Sequence, residues 1–304
     1  MTEFYNKLLA VSSSGHVQID EEMKKHTTFR VGGPASYYVS PGNEEELAAV
    51  IKLCRQEGVE YFILGNGSNL LVSDSGFDGV VISMSEGFSS CQADPDQQLV
   101  TAGSGCLLSK IASEALKASL TGFEFASGIP GTLGGAVVMN AGAYGGEMKH
   151  VMEYVRVLTS EGEPLMLTAG ELEMGYRTSI VRKNNYIVVE AGIRLKPGSQ
   201  ETIKSCMADL ADRRRTKQPL EYPSGGSTFK RPEGHFAGKL IEEAGLRGYQ
   251  VGGAQVSEKH CGFVINKDHA TAAEIMQLCQ DIRQRVKSNS GVELEMEVKT
   301  LGRF

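Results

Sequence analysis

Apolar residues return every three to four positions through 44–57, where Leu47, Val50, Ile51 and Cys54 form one stripe. Asn43 stands before this stretch, three acids lead its first turn and Gly58 follows it, so the spacing predicts a helix. Leu108, Ile111, Ala112, Ala115 and Leu116 predict a second helix over 107–119. A third is predicted over 200–217, with Ile203, Cys206, Met207 and Leu210 as its buried stripe, and a shorter one over 236–244. The longest begins at a capping box, Thr271 with Glu274, carries Ile275, Leu278, Ile282 and Val286, and stops at Gly291.

Between these lie strand-like runs. Residues 61–64, 70–72 and 79–82 follow the first amphipathic helix and suggest an α/β opening, after an N-terminal ~25 residues that read as a short helix and linker. Residues 151–159, 164–168 and 186–195 read as an antiparallel set. Pro197-Gly198 then marks a domain boundary. Strands are expected at 225–230, 249–256, 261–266 and 292–300. In the last of these Leu294, Met296 and Val298 alternate with Glu293, Glu295 and Glu297.

At 304 residues the chain is long for one core. Hydrophobic content of 41% and charge of 22% are those of a globular protein, and a net charge of −6 argues against nucleic-acid or anionic-membrane binding. No run approaches the ~20 apolar residues of a membrane span. The six cysteines are scattered with no CxxC pair, and the histidines make no metal-spaced pair. A cytoplasmic protein with reduced thiols and no metal site is expected.

The stretch 127–146, SGIPGTLGGAVVMNAGAYGG, holds seven glycines and one proline in twenty residues without a charge. Ile129, Leu133, Val137, Val138 and Met139 between the glycines make it unlike a flexible linker. It reads as an ordered, buried loop system around something flat or phosphorylated, with tight turns between core strands as the alternative. Gly65-Asn66-Gly67-Ser68-Asn69 follows a strand, yet Leu70 stands where a dinucleotide fingerprint needs its third glycine, and strands rather than a helix come next. What remains is an anion nest of backbone N–H groups, or an Asn-Gly hairpin turn.

Three polar groups could carry chemistry. Arg177, beside Tyr176, supplies a planar fork for a carboxylate or is a solvated loop charge. Ser227 follows Gly225-Gly226, where a ligand could reach its hydroxyl. Strand alternation would put Ser227 and Phe229 on one face, Thr228 and Lys230 on the other. Glu297 lies on the acidic side of the closing strand, with Glu295 two residues away on the same side. Arg213-Arg214-Arg215 and Lys217 end a helix, where they complement its dipole or hold a diphosphate.

Taken together, TTFRVGGPA, LGNGSNLLVSD, SGIPGTLGGAVVMNAGAYGGE, YRTS, GSTFKRP, AGKLIEEAGLRG and GVELEMEV resemble the UDP-N-acetylenolpyruvoylglucosamine reductase family from about residue 25 onward, in its shorter form lacking an extra substrate loop. The resemblance implies an α+β fold. A vanillyl-alcohol-oxidase-type FAD-binding domain of two α/β subdomains, split near 83, would occupy 1–196. A separate α+β substrate-binding domain would follow over 197–304, its closing strand from about 293 either staying there or returning to the FAD domain. Non-covalent FAD would rest on Gly65, Asn66, Gly67, Ser68, Asn69, Gly128, Ile129, Pro130, Gly131, Gly134, Gly135, Asn140 and Gly142. NADPH would be the reductant and the enolpyruvyl nucleotide sugar the small-molecule substrate, with no nucleic-acid or membrane partner and a monomer favoured. By motif match Arg177 would steady the substrate carboxylate with a protonated Glu297 and Ser227 would protonate carbon; by position and charge Tyr176, Arg213, Lys217, Lys230 and Arg247 would touch substrate. A proline commonly precedes the last glutamate of the family, where Met296 stands here. An oxidase of the same flavin fold and a non-catalytic nucleotide-binding module are the other readings.

Overall fold

The structure, a computed structural model, describes residues 3–304 and divides into two compact units. The first comprises residues up to Ile19, Tyr37–Asn66 and Gly79–Arg214; the second comprises Asp20–Ser36, Gly67–Asp78 and Arg215–Phe304. The single boundary expected at 196/197 therefore gives way to a division in which the second unit also draws on two early segments.

In the first unit the Glu44–Glu57 helix forms as its ends dictate. The Asn43 side chain accepts a hydrogen bond from Glu46 N at 2.9 Å, and Gly58 closes the helix at φ 66. Its apolar stripe packs with Leu8, Val39, Val80 and Ile82. Tyr61–Leu64, which follows that helix, pairs parallel with Phe77–Ser83. A five-stranded antiparallel sheet follows, ordered Pro164–Thr168, Met152–Leu158, Ile187–Arg194, Leu99–Gly103, Cys91–Asp94. Val188 enters the core under this sheet while Ile187 and Val189 enter the core of the Glu44–Glu57 helix. That strand is buried on both faces, hence its nearly unbroken apolar run. His16–Glu22 is a strand where a linker was expected.

The Gln200–Lys217 helix has its expected bounds, but of its stripe only Ile203 is buried; Met207 and Leu210 are half-buried and Cys206 is exposed. Periodicity tells which face of a helix is apolar, not how much neighbouring surface exists to cover it.

In the second unit the Ala272–Ser290 helix packs Ile275, Leu278, Ile282 and Val286 into a core shared with Phe29, Val31 and Leu71. Both arms of the Thr271–Glu274 capping box form, and the Asp74 carboxylate accepts from Ala272 N at 2.8 Å and Ala273 N at 2.9 Å. A three-stranded antiparallel sheet, Gln250–Val251, Ala254–Val256 and Val264–Asn266, lies in the same unit. The closing strand is shorter than expected, Lys299–Leu301, and pairs parallel with Leu70–Val72. No described helix is long and apolar enough to cross a membrane, and no group of three or more metal-ligating side chains occurs among the described residues.

Candidate active site

The glycine passage is only half a loop. Leu133–Met139 is helical, with Leu133, Ala136 and Val137 buried, while Gly128, Pro130 and Gly135 are exposed. The expectation of a buried loop is thus corrected: one side anchors in the core and the other offers uncharged backbone. At Gly65 and Gly128 a larger residue would have to displace a neighbouring side chain. A Cβ on Gly65 would stand 2.3 Å from Thr132 Oγ1, and one on Gly128 would stand 2.7 Å from Arg214 Nη1. Asn66 Nδ2 donates to Pro130 O at 2.9 Å, tying the nest residue to the passage. Beside this junction is a cavity of about 310 Å³ lined by Gly65, Asn66, Thr132, Cys106, Leu107 and Lys110, among others. Backbone, small polar groups and one lysine are the donor set a diphosphate-bearing cofactor needs, so the residues fit FAD. Thr132 and Lys110 were missed from sequence. Thr132 lay inside the quoted passage without any special signal, and Lys110 looked like one more solvated helix lysine.

The expected nest run is divided between the two units. Gly65 and Asn66 belong to the first unit; Gly67, at φ 58, with Ser68 and Asn69 belongs to the second. There Asn69 Nδ2 donates to Glu297 O at 3.2 Å, and Asn69 O accepts from Lys299 N at 3.0 Å. The Asn69 side chain therefore positions the candidate acid.

Asn140 differs more sharply from its expected cofactor role. The residue is 2% exposed and ends the short helix at φ 42. Its Nδ2 donates to Glu147 Oε2 at 2.8 Å and Gly175 O at 3.1 Å, and its Oδ1 accepts from Lys149 N at 2.9 Å. Both amide hydrogens are thereby spent on protein. Through Gly175 it fixes the turn that carries Arg177, aided by Ser179 Oγ donating to Val138 O at 3.0 Å. Asn140→Ala is expected to lower stability by about 1–3 kcal/mol in urea denaturation, because Gly175 O and Lys149 N, both partly shielded, lose their partner together.

Tyr176 and Arg177 are the two central residues of that turn, closed by reciprocal backbone bonds between Gly175 and Thr178 at 3.0 and 3.2 Å. Arg177 adopts φ 54, in the left-handed region where such a turn favours glycine. Its guanidinium carbon lies 5.3 Å from the ring centroid of Tyr176, which is largely exposed, and Arg182 Nη1 donates to Arg177 O at 2.7 Å.

In the second unit Ser227 is exposed, while Thr228 and Phe229 are both buried. The expected strand alternation fails because the segment makes isolated bridges, Ser224 with Ile265 and Phe229 with Met296, rather than a ladder. Thr228 is the pivot. Its Oγ1 accepts from Val264 N at 2.9 Å, its N–H donates to Gly262 O at 2.9 Å and its carbonyl accepts from Glu297 N at 2.8 Å. Ser227 and Glu297 are thus carried on adjoining segments. Glu297 is half-buried, whereas Glu295 is exposed and paired with Lys230.

Three basic residues expected to contact substrate are engaged within the protein, Lys230 with Glu295 among them. Arg213 pairs with Asp209 at 2.9 Å, and Arg247 with Glu242 at 2.6 Å. That hydrogen bond to Glu242 raises the Arg247 pKa. Lys217 is exposed at the helix end. A larger cavity, about 540 Å³, lies on the Ala272–Ser290 helix near Asp281 and Arg285, but no candidate residue lines it.

The glycine cradle and the sheet beside it define an FAD-binding protein. Residues 35–168 match a family model described as an FAD binding domain, and 218–301 match one described as the C-terminal domain of UDP-N-acetylenolpyruvoylglucosamine reductase. The chain is 53% identical over 300 residues to UDP-N-acetylenolpyruvoylglucosamine reductase of Clostridioides difficile (strain 630), covering 99% of this chain and 98% of the relative. A second relative of that description, from Lachnoclostridium phytofermentans, is 53% identical over 97% of this chain and 96% of its own. The crystal structure of UDP-N-acetylenolpyruvylglucosamine reductase from Thermus caldophilus superposes with a TM-score of 0.80 at 35% identity, covering 95% of this chain and 99% of that one. Physcomitrella patens BBE-like 1, at 16% identity and a TM-score of 0.51 over 64% of this chain and 45% of its own, shares the fold alone. The chain belongs to the UDP-N-acetylenolpyruvoylglucosamine reductase family.

Proposed function

We propose that this protein is the FAD-dependent reductase that converts the enolpyruvyl ether of UDP-N-acetylglucosamine to UDP-N-acetylmuramate for peptidoglycan synthesis, with NADPH as reductant. The observation that carries this reading is 53% identity across 99% of the chain. A cytoplasmic enzyme working as a monomer on a free nucleotide sugar goes with it. FAD, when bound, supplies the hydride that adds to the terminal methylene carbon. Gly65, Asn66, Thr132 and Lys110 would hold its diphosphate portion, and the exposed glycine face of 128–135 its flat portion.

The chain's own side chains then manage charge and proton. Electron density moves into the substrate carboxylate as hydride adds, so Arg177 would steady the growing dianion with its planar fork. Glu297, in its acid form, would donate a second hydrogen bond to the same carboxylate. Ser227 Oγ–H would give its proton to the carbon beside that carboxylate. The pivot at Thr228 supports the pairing of Ser227 with Glu297, since one buried residue fixes both segments. Tyr176, Lys217 and Lys230 would contact the nucleotide portion.

Purified protein should show flavin absorption in the visible that NADPH bleaches without oxygen, and the enolpyruvyl substrate should restore it. Colour that stays on the denatured polypeptide would instead indicate an oxidase with tethered flavin. Flavin that NADPH cannot bleach would indicate a silent binding module.

A further inference from the structure

We infer that Cys91 and Cys106 form a redox-modification site: hydrogen peroxide joins them in a disulfide, and the joined form holds FAD more weakly. Cys91 opens the edge strand Cys91–Asp94 and stands opposite Ala102 of Leu99–Gly103. After Gly103 the chain turns back, with Cys106 N donating to Gly103 O at 3.0 Å. Two bonds clamp this turn onto the residues before Cys91: Gly103 N donates to Ser90 O at 3.0 Å and Gly105 N to Phe88 O at 2.9 Å. A Cβ on Gly103 would stand 2.2 Å from Phe88 O, and one on Gly105 1.6 Å from Met84 O, so only glycine permits the approach. Cys106 is buried as a result, in the core against which the half-buried Cys91 packs, and the two thiols hydrogen-bond to each other.

The surroundings give the two sulfurs different roles. The hydrogen bond from Cys91, helped by the charge of Lys110, lowers the Cys106 pKa, while that same bond and burial push Cys91 up. Burial raises the other four thiols, Cys54, Cys206, Cys261 and Cys279. Cys106 also directly precedes Leu107, the N-cap of the Leu108–Lys117 helix, whose dipole favours a thiolate. The Cys106 thiolate attacks one peroxide oxygen; an S–O bond forms, the O–O bond breaks and hydroxide leaves. The Cys91 sulfur then attacks the resulting sulfenic acid; the S–S bond forms, the S–O bond breaks, and hydroxide leaves with the Cys91 proton as water. Two thiols have lost two electrons, and the peroxide, with the proton Cys106 had released, has become two waters.

Covalent closure draws the sulfurs nearer than hydrogen-bond contact, and Cys106 cannot shift alone. Its carbonyl accepts from Leu133 N at 2.9 Å, Ser104 O accepts from Gly134 N at 2.8 Å, and Leu108 N donates to Gly131 O at 3.1 Å. The glycine passage thus hangs on this turn, and Cys106 lines the cavity with Gly65, Asn66 and Thr132. The coupling to FAD rests on the reading that this cavity takes the cofactor's diphosphate.

The test treats the purified protein with a small excess of hydrogen peroxide, then counts thiols in denaturant and maps the peptides by mass. Two of the six free thiols should disappear, in one disulfide linking the Cys91 and Cys106 peptides, and dithiothreitol should restore them. Cys91→Ser should leave Cys106 as a sulfenic acid that dimedone traps, and Cys106→Ser should leave Cys91 unoxidised at the same dose. The wild-type peptide map decides the matter by itself if neither variant folds. FAD titration of the flavin-stripped protein should show about tenfold weaker binding to the disulfide form, reversed by dithiothreitol. A disulfide between any other pair, or peroxide consumption with both thiols intact, would overturn the site. Equal FAD affinity of the dithiol and disulfide forms would overturn its coupling to the cofactor. Reduced protein that takes up no FAD would defeat the underlying cofactor reading, an outcome the peptide map does not depend on.

Discussion

Ser227→Ala is expected to leave bleaching by NADPH nearly unchanged while reoxidation by the enolpyruvyl substrate slows by about 10²–10⁴, the range for a lost general acid. The contrast follows from where the hydroxyl sits. Ser227 is exposed and follows Gly226 at φ 76, so the substitution removes one oxygen from a side chain that the core does not use. Thr228, at 1% exposure, continues to hold the segment through Val264 and Gly262. Stability should therefore move by less than about 0.5 kcal/mol. Stopped-flow traces of the two half-reactions decide the matter, and equal slowing of both would remove Ser227 from proton transfer.

The second large effect concerns Arg177. Arg177→Gly is expected to cost about 10²–10³ in reoxidation rate, the range for losing one preorganised donor to developing charge. Thermal stability should barely change. The left-handed conformation costs a non-glycine residue roughly 1–2 kcal/mol, and glycine relieves that while adding a comparable entropy to the unfolded chain. Arg177→Lys should recover only part of the rate, since a lysine has the charge without the fork. A melting temperature that drops by more than about 5 °C in Arg177→Gly would show instead that the guanidinium holds the first unit together.

What could be read from sequence divides along the range of the interactions. The Asn43 cap, the Thr271–Glu274 box and the stripe ending at Val286 are local, and each took the expected form. The segment around Ser227 was misread because its pairing partners, Ile265 and Met296, are remote, and nothing nearby signals two isolated bridges in place of a ladder. The helix Leu133–Met139 was hidden by Gly134-Gly135, which lowers intrinsic propensity where tertiary packing of Leu133 and Val137 prevails. The roles proposed for Arg177 and Ser227 rest on family motifs rather than composition. Arg214 could not be told from Arg213 and Arg215, because three consecutive arginines present the same chemistry and only the packing against Gly128 chooses among them.

Residues 218–301 look from the family match like a separable module, but they are not self-sufficient. Phe29, Val31 and Leu71 belong to their core, the Lys299–Leu301 strand has its partner at Leu70–Val72, and Asp74 caps the long helix. On the ribosome those early segments emerge long before the last strand exists. At about 5–20 residues per second they wait for roughly ten seconds or more with their apolar side chains uncovered. Leu70–Val72 is an unpaired edge for that whole interval, and chaperone protection of the nascent chain matters most there.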